Sequence, residues 1–456
     1  MSRRGSGDSP GGGYRGRPTP VSLVRSLVYF VPSYAVAVAG YLAVNVVAAR
    51  VLGPSGFGYL VVLMTVTGLV AQLGLMGVHR AGLRETARAD DPETLVGLRR
   101  GVRAVLLVSL PLVSVLMAAV VRLVHPGGEA ATATAVLTGV LVYATGYQLM
   151  AANFLRGLGH LKMASLLSGR SGGSLIAVVQ AAGVALVAWL APESGLPGVL
   201  LGVVAGYVGP LLLAGWVLTR SWPSAPRPHH TLRELRTVAR RDWRFTVSQS
   251  GGYLNSTVEL WLGAAILTAG ATSLFAAAQR LARLLVIPAS SLAIVFSPAI
   301  ARLSAAGQRG RLQQLIRTAA TVTTAVSALL WLPMVIAPET VIRLVFGPGF
   351  EAAAPALALI ATGYLLNAVS GMSGKTLSMT HHEGDQAVIT WTVVVVRIAS
   401  GAVCAYLWGI TGLAVSAMVI SGLYYLANWA AVRRRLSIST HATLRPDLRL
   451  LTRTAG

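Results

Sequence analysis

Four ionisable side chains interrupt long apolar runs in the second half of this chain. Arg280 and Arg283 stand three residues apart in "FAAAQRLARLLVIP", Arg397 interrupts "WTVVVVRIAS", and Glu259 follows "LNSTV". A guanidinium presents planar, permanently charged N–H donors that match a phosphate or carboxylate two bonds at a time. Residues three apart share one face of a helix, so Arg280 and Arg283 can address the same anion. One carboxylate among three guanidiniums offsets one charge and leaves a surplus of two. A charge at membrane depth survives by meeting a partner or water. The set therefore reads either as a structural ion pair or as the lining of a hydrated, cationic cavity. Asn255 and Asn45 add neutral hydrogen-bonding groups inside apolar runs, where the alternative role is a bond between helices.

The elements that position these residues follow from composition. Of the 456 residues 54% are hydrophobic and only 12% charged, with mean hydropathy +0.66. A soluble domain carries roughly 25% charged residues, so this chain could not cover its own surface with polar groups. Apolar runs long enough to cross a bilayer recur throughout, near 26–48, 57–79, 103–121, 132–155, 172–190, 196–219, 245–267, 271–298, 316–337, 355–379, 386–406 and 409–431. The fold class expected is all-α and polytopic, with twelve membrane helices.

The basic residues test that count. With both ends cytoplasmic, 32 of the 38 lysines and arginines fall on the inner side, as the positive-inside rule requires. Only Arg50, Arg122 and Arg343 fall outside, and Arg280, Arg283 and Arg397 remain at depth. Adding or removing one span would invert every later loop and destroy the segregation. The net charge of +23 thus needs no nucleic acid; the inner loops instead favour anionic membrane lipids. The single cysteine, Cys404, excludes disulfides within the chain. "HHEGD" (381–385) is a short solvated loop rather than a metal cluster, and neither a metal nor a cofactor is expected.

The chain divides in two. A Gly/Pro/Ser/Arg-rich arm (1–22) reads as disordered, followed by a first six-helix bundle (23–219). A linker with an amphipathic basic helix (220–244) leads to a second bundle (245–432) and a basic tail (433–456). "RVLGPSGFGYL" after the first span has a degenerate counterpart, "ILTAGATSLFA", after the seventh. Such weak symmetry fits two parallel repeats, an arrangement used by secondary transporters. In "LGPSGFG" the glycines permit a tight reversal and Pro54 fixes it; no lysine follows, so this is no phosphate-binding loop of a nucleotidase. Without an ATPase motif, energy must come from ion coupling (H+ or Na+), cargo gradients or downstream consumption.

"ARVLGPSGFG" (49–58), "LFAAAQRLARLL" and "LVFGPGFEAAAPALALI" (344–360), in this order, resemble the bacterial polysaccharide-export flippases. These are the O-antigen and capsule translocases of the multidrug/oligosaccharidyl-lipid/polysaccharide (MOP) superfamily. The turn after the seventh span departs from the pattern, reading "LTAGATS" where Gly-Pro is usual. The resemblance implies two six-helix bundles around a central cavity open to either side in turn. The implied cargo is a polyprenyl-pyrophosphate-linked oligosaccharide, the implied location the bacterial cytoplasmic membrane, and the implied role transport rather than catalysis.

The alternative is a cation-coupled multidrug exporter of the same fold, which would be expected to carry acids in its cavity. The first six spans hold none at depth, which favours an anionic cargo. Glu259 and Arg280 lie about equally far from the turn near 269–270, so they share a depth and an ion pair between them is geometrically available. Otherwise Arg280 faces the cavity with Arg283 and Arg397. Arg283, one turn deeper, is then the residue expected to touch cargo, with Arg397 also facing the cavity.

Overall fold

The computed structural model describes residues 23–447, apart from 89–91, 126, 168–172, 223–230 and 444. The arm expected over 1–22, the proline-rich start of the linker and the end of the tail lie outside the described residues. Every regular element among the described residues is helical. The first half comprises α1 (Leu23–Gly74), α2 (Val78–Arg88), α3 (Pro92–Ala104), α4 (Leu110–Val124), α5 (Glu129–Gly157), α6 (Leu161–Leu167), α7 (Gly173–Leu190) and α8 (Gly195–Ser221). The second comprises α9 (Thr231–Ile266), α10 (Ala269–Ala282), α11 (Ile287–Ala305), α12 (Arg309–Ile336), α13 (Pro338–Phe346), α14 (Ala354–Ser370), α15 (Ser373–Met379) and α16 (Glu383–Leu436).

Two helices are too long for one crossing, and glycine breaks both. In α1 it is Gly53 (φ 64°, ψ −177°), in α16 Gly409 (φ 59°, ψ −138°). Only glycine reaches such a φ without strain. In α16 the break is a full reversal: the Ser400 and Ser416 hydroxyls, 16 residues apart, meet at 3.0 Å. A straight helix would hold them about 24 Å apart.

Among the described residues eight helices are long and apolar enough to span a membrane, counting α3–α4 as one and the broken α1 and α16 as one each. The seventh and eighth expected spans fall on α9 and on α10 with α11, whose Asn255, Glu259, Gln279, Arg280 and Arg283 lower their apolar average. Twelve crossings are consistent with this arrangement. Helices pack mostly within their own half, α7 on α8, α4 on α5, α14 on α16; α1 crosses the seam to α9 and α10. Large apolar side chains such as Leu107, Leu123, Leu329 and Val395 are exposed on the flanks, as lipid-facing surfaces require. Tyr406, Trp408 and Trp189 lie exposed where spans end at the short turns, the headgroup level that amphipathic rings favour.

Two boundaries differ from those read in the sequence. The amphipathic basic segment is not separate from the seventh span: α9 runs unbroken from Thr231 to Ile266. The tenth span ends at Ser370, because Gly371 (φ 74°) stops α14 and α15 starts anew.

His79 begins α2, beyond the break at Met76 and Gly77, both of positive φ. It is buried and its Nδ1 has no hydrogen-bond partner among the described residues. Burial, with the Arg80 charge beside it, pushes the imidazole down to about 3. An unfolded histidine takes up its proton near pH 6.5, so below that pH the unfolded chain binds a proton that the folded one refuses. This site therefore supports the fold above about pH 6.5 and opposes it increasingly as pH falls towards 3. Between about pH 7 and pH 4 the melting temperature of the wild type should fall more than that of His79→Asn. Equal losses in both would remove His79 from the account.

Candidate functional site

The intramembrane charges meet in the second half, but not as spacing alone predicts. Arg397, on the first limb of α16, donates from Nη1 to Glu259 Oε1 on α9, and from Nη2 to Ser421 Oγ on the returning limb at 3.2 Å. Both charged side chains are buried, at 3% and 4% exposure. The Glu259–Arg280 pair that the spacing allows is thus replaced by Glu259–Arg397. Depth was not the discriminating variable. Rotation about each helix axis decides which faces meet, and α9 turns Glu259 towards α16. Arg280 is buried against the other half instead, its guanidinium 5.3 Å from the centre of the Tyr41 ring on α1.

Arg283 owes its position to Pro288. A proline lacks the N–H that would bond residue 284 and its ring clashes with that carbonyl, so a regular α-helix is kinked or broken over 284–288. The chain tightens there into a 3₁₀ turn, Arg283–Val286, before α11. Arg283 heads that turn partly buried, with Nη2 donating to the Ser256 carbonyl of α9 and, at 3.5 Å, to Gln279 Oε1. Tyr364, Tyr41 and Tyr253 lie within its electrostatic reach, as does Glu259.

Those tyrosines are the residues that the sequence reading missed. A partial signal was present: Gly-Tyr-Leu occurs at 40–42, 58–60, 252–254 and 363–365, and three of these four tyrosines are the ones near Arg283. The two asparagines part company. Asn45 is buried and donates to the Tyr41 carbonyl at 2.7 Å within its own helix. Asn255 has a buried Oδ1 with no hydrogen-bond partner among the described residues.

The two ends of the seam differ. At the turn end, Gly58 N–H donates to Ser273 Oγ at 2.5 Å across the halves. Phe57, Phe346 and Phe350, all buried, close round it with ring centroids 5.6–6.0 Å apart. A Cβ on Gly58 would stand 2.8 Å from the Ser273 backbone nitrogen. Gly58→Ala should therefore loosen the seal, at the cost of about 1–3 kcal/mol for overpacking. Amide exchange over 268–275 is expected to quicken about fivefold or more, and unchanged exchange would show that the contact absorbs a methyl group.

At the basic end, Arg80 and Lys375 come from opposite halves and both touch solvent. Lys375 lies on α15, beyond the end of its span. Surrounding protein, and then the Arg80 charge, lower its ammonium pKa. The halves are thus held together at the turn end, while at the basic end both face solvent through charged side chains.

The sequence profile of the polysaccharide biosynthesis protein family matches residues 25–304. The chain belongs to that family. A probable low-salt glycan biosynthesis flippase, Agl15 of Haloferax volcanii, is 21% identical over 238 residues. That match spans 50% of this chain and 50% of the relative, so the chain covers about half the length of this curated protein. Among solved structures, the inward-facing conformation of a multidrug resistance MATE transporter of the MOP superfamily superposes with a TM-score of 0.67 at 14% identity, covering 90% of this chain and 98% of that one. The lipid II flippase MurJ in an inward closed conformation gives 0.64 at 12% identity, covering 94% and 90%. The fold of this family member is therefore that of the MOP superfamily, all-α and multi-pass.

Proposed function

We propose that this protein is a flippase that moves a polyprenyl-pyrophosphate-linked oligosaccharide across the cytoplasmic membrane by alternating access, for cell-surface polysaccharide synthesis. The observation that carries the reading is Arg283, a partly buried guanidinium at membrane depth within electrostatic reach of tyrosines from both halves. A guanidinium fork suits a pyrophosphate. Tyrosines offer rigid faces and hydroxyls to sugar rings at low entropic cost. On this reading Arg280, Arg283, Arg397, Glu259, Asn255 and Asn45 do different work. Arg283 and Asn255 address cargo, Arg280 and Asn45 order α10 and α1, and the Glu259–Arg397 pair ties α9 to α16.

The seam between the halves supports alternation. Tyr253 OH donates to the Thr65 carbonyl at 2.8 Å and Trp261 Nε1 to Thr65 Oγ1 at 2.9 Å. Thr67 and Gln72 on α1, with Thr246 and Ser250 on α9, keep buried polar atoms without partners. Water can satisfy such groups once the seam parts, which lowers the cost of opening relative to an apolar interface. The basic end, with both chain ends, faces the cytoplasm on this reading, where the cargo is made. The same fold serves multidrug exporters, but the acids of the first half all lie outside its apolar runs. The test is complementation of a cell lacking its own flippase, with glycolipid flipping measured in vesicles. Export restored by the wild type is expected; drug efflux indifferent to glycolipid would transfer the protein to the exporter class.

A further inference from the structure

A second cationic site lies at the basic end, where α16 leaves its last span, and it does not depend on the identity of the cargo. Ser437, in left-handed conformation, ends α16. The chain after it is laid back over neighbouring helix ends: Ser439 N–H on Gln313 Oε1 (2.8 Å), Thr440 Oγ1 on the Ser370 carbonyl (2.8 Å), Ala442 N–H on the Val369 carbonyl (3.0 Å) and Thr443 N–H on Thr321 Oγ1 (2.8 Å). This strap brings His441 against Trp429, whose Nε1 donates to His441 Nδ1 at 3.3 Å. The Arg433 guanidinium stands 5.5 Å from the centre of the Trp429 ring. Trp429, Ala430, Arg433 and Arg434 line a cavity of about 390 Å³ beside the strap.

The charge in this cavity is one-sided. No acid lines it among the described residues. Asp385, the nearby acid at the start of α16, is held by Arg435 through two bonds of 2.8 and 3.1 Å. Behind the strap, Arg317 keeps a buried Nε without a partner. His441 reports the same field: burial, then Arg317 and Arg433, lower its imidazole pKa. Two guanidiniums without a counter-ion match a phosphate.

The apolar side tells a lipid phosphate from a free one. Residues 423, 426, 430 and 433 follow the 3-4-3 spacing of one helix face, and Leu423 and Leu426 on it are 51% and 59% exposed. An apolar strip therefore runs from the cationic cavity into the membrane, with Trp429 between them at headgroup level. We propose that Trp429, Arg433 and Arg434 form a headgroup site for an anionic phospholipid, whose acyl chain lies along Leu426 and Leu423.

The full chain, purified in detergent, would be titrated with phosphatidylglycerol and with phosphatidylcholine, and bound lipid counted by native mass spectrometry. The wild type should retain phosphatidylglycerol and not phosphatidylcholine. The double variant Arg433→Gln/Arg434→Gln should bind it about thirtyfold more weakly, from the loss of two arginines at the surface. Arg309→Gln/Arg311→Gln removes the same charge from exposed positions at the start of α12 and should bind as the wild type does. Equal weakening in both double variants would reduce the effect to diffuse charge and overturn the proposal. So would equal binding of the two lipids. Displacement by excess inorganic phosphate would assign the cavity to a free anion and also overturn it.

Discussion

Arg283→Ala is expected to slow flipping of a pyrophosphate-linked glycolipid about ten- to hundredfold while leaving the melting temperature nearly unchanged. The magnitude follows from a charge-assisted hydrogen bond, worth about 1.5–3 kcal/mol when its partner is left unserved, a factor of ten for every 1.4 kcal/mol. The stability expectation follows from where Arg283 sits. It is partly buried at the head of a 3₁₀ turn, where it bonds a main-chain carbonyl and one distant glutamine oxygen, with Tyr364 within electrostatic reach. Removing it breaks no buried ion pair. Arg283→Lys should fall between wild type and alanine, because an ammonium keeps the charge but not the fork. Flipping in vesicles, with a monophosphate-linked glycolipid alongside, gives the measurement. A wild-type rate in Arg283→Ala would sink the cationic-cavity reading. Equal slowing of both glycolipids would leave Arg283 as a gate residue that does not read pyrophosphate.

What the sequence disclosed and what it withheld separate along physical lines. Span positions were legible because bilayer thickness fixes run length and because basic loops segregate by side. The turn at Gly53 was legible because backbone reversals need particular residues. The continuity of α9 was not: a polar lead-in and an apolar span differ in solvent, not in helical propensity, so nothing at Phe245 stops the helix. Nor was the partner of Glu259 legible. Counting residues from a turn gives depth to within a helical turn, whereas pairing depends on azimuth, which packing of whole helices sets. Arg280 and Arg397 were both available, and α9 faces α16. The tyrosines around Arg283 were hidden for a different reason. A tyrosine in an apolar run reads as core or membrane belt until its neighbours in space are known, and here they come from α1, α9 and α14.

The corrected pairing makes Glu259→Gln the substitution with the largest expected effect on stability. Arg397 is buried with its Nη1 on Glu259 and Nη2 on Ser421. Glutamine can still accept one hydrogen bond, but the guanidinium would then be buried without its counter-charge. Breaking a buried pair from one side costs about 3–5 kcal/mol, whereas replacing both partners by apolar groups of similar volume is often neutral. Glu259→Gln should therefore melt well below the wild type in detergent. Glu259→Leu/Arg397→Met should recover most of the loss, because the Ser421 hydroxyl can turn to its own helix carbonyl. The two single changes should thus be strongly non-additive, as partners in one pair are. The double variant also decides the pair's role. If Glu259–Arg397 ties α9 to α16 and nothing more, the double variant flips glycolipid at close to the wild-type rate. A stable double variant that no longer flips would place Arg397 beside Arg283 in the cargo path, with Glu259 as the anion that the cargo's phosphates displace.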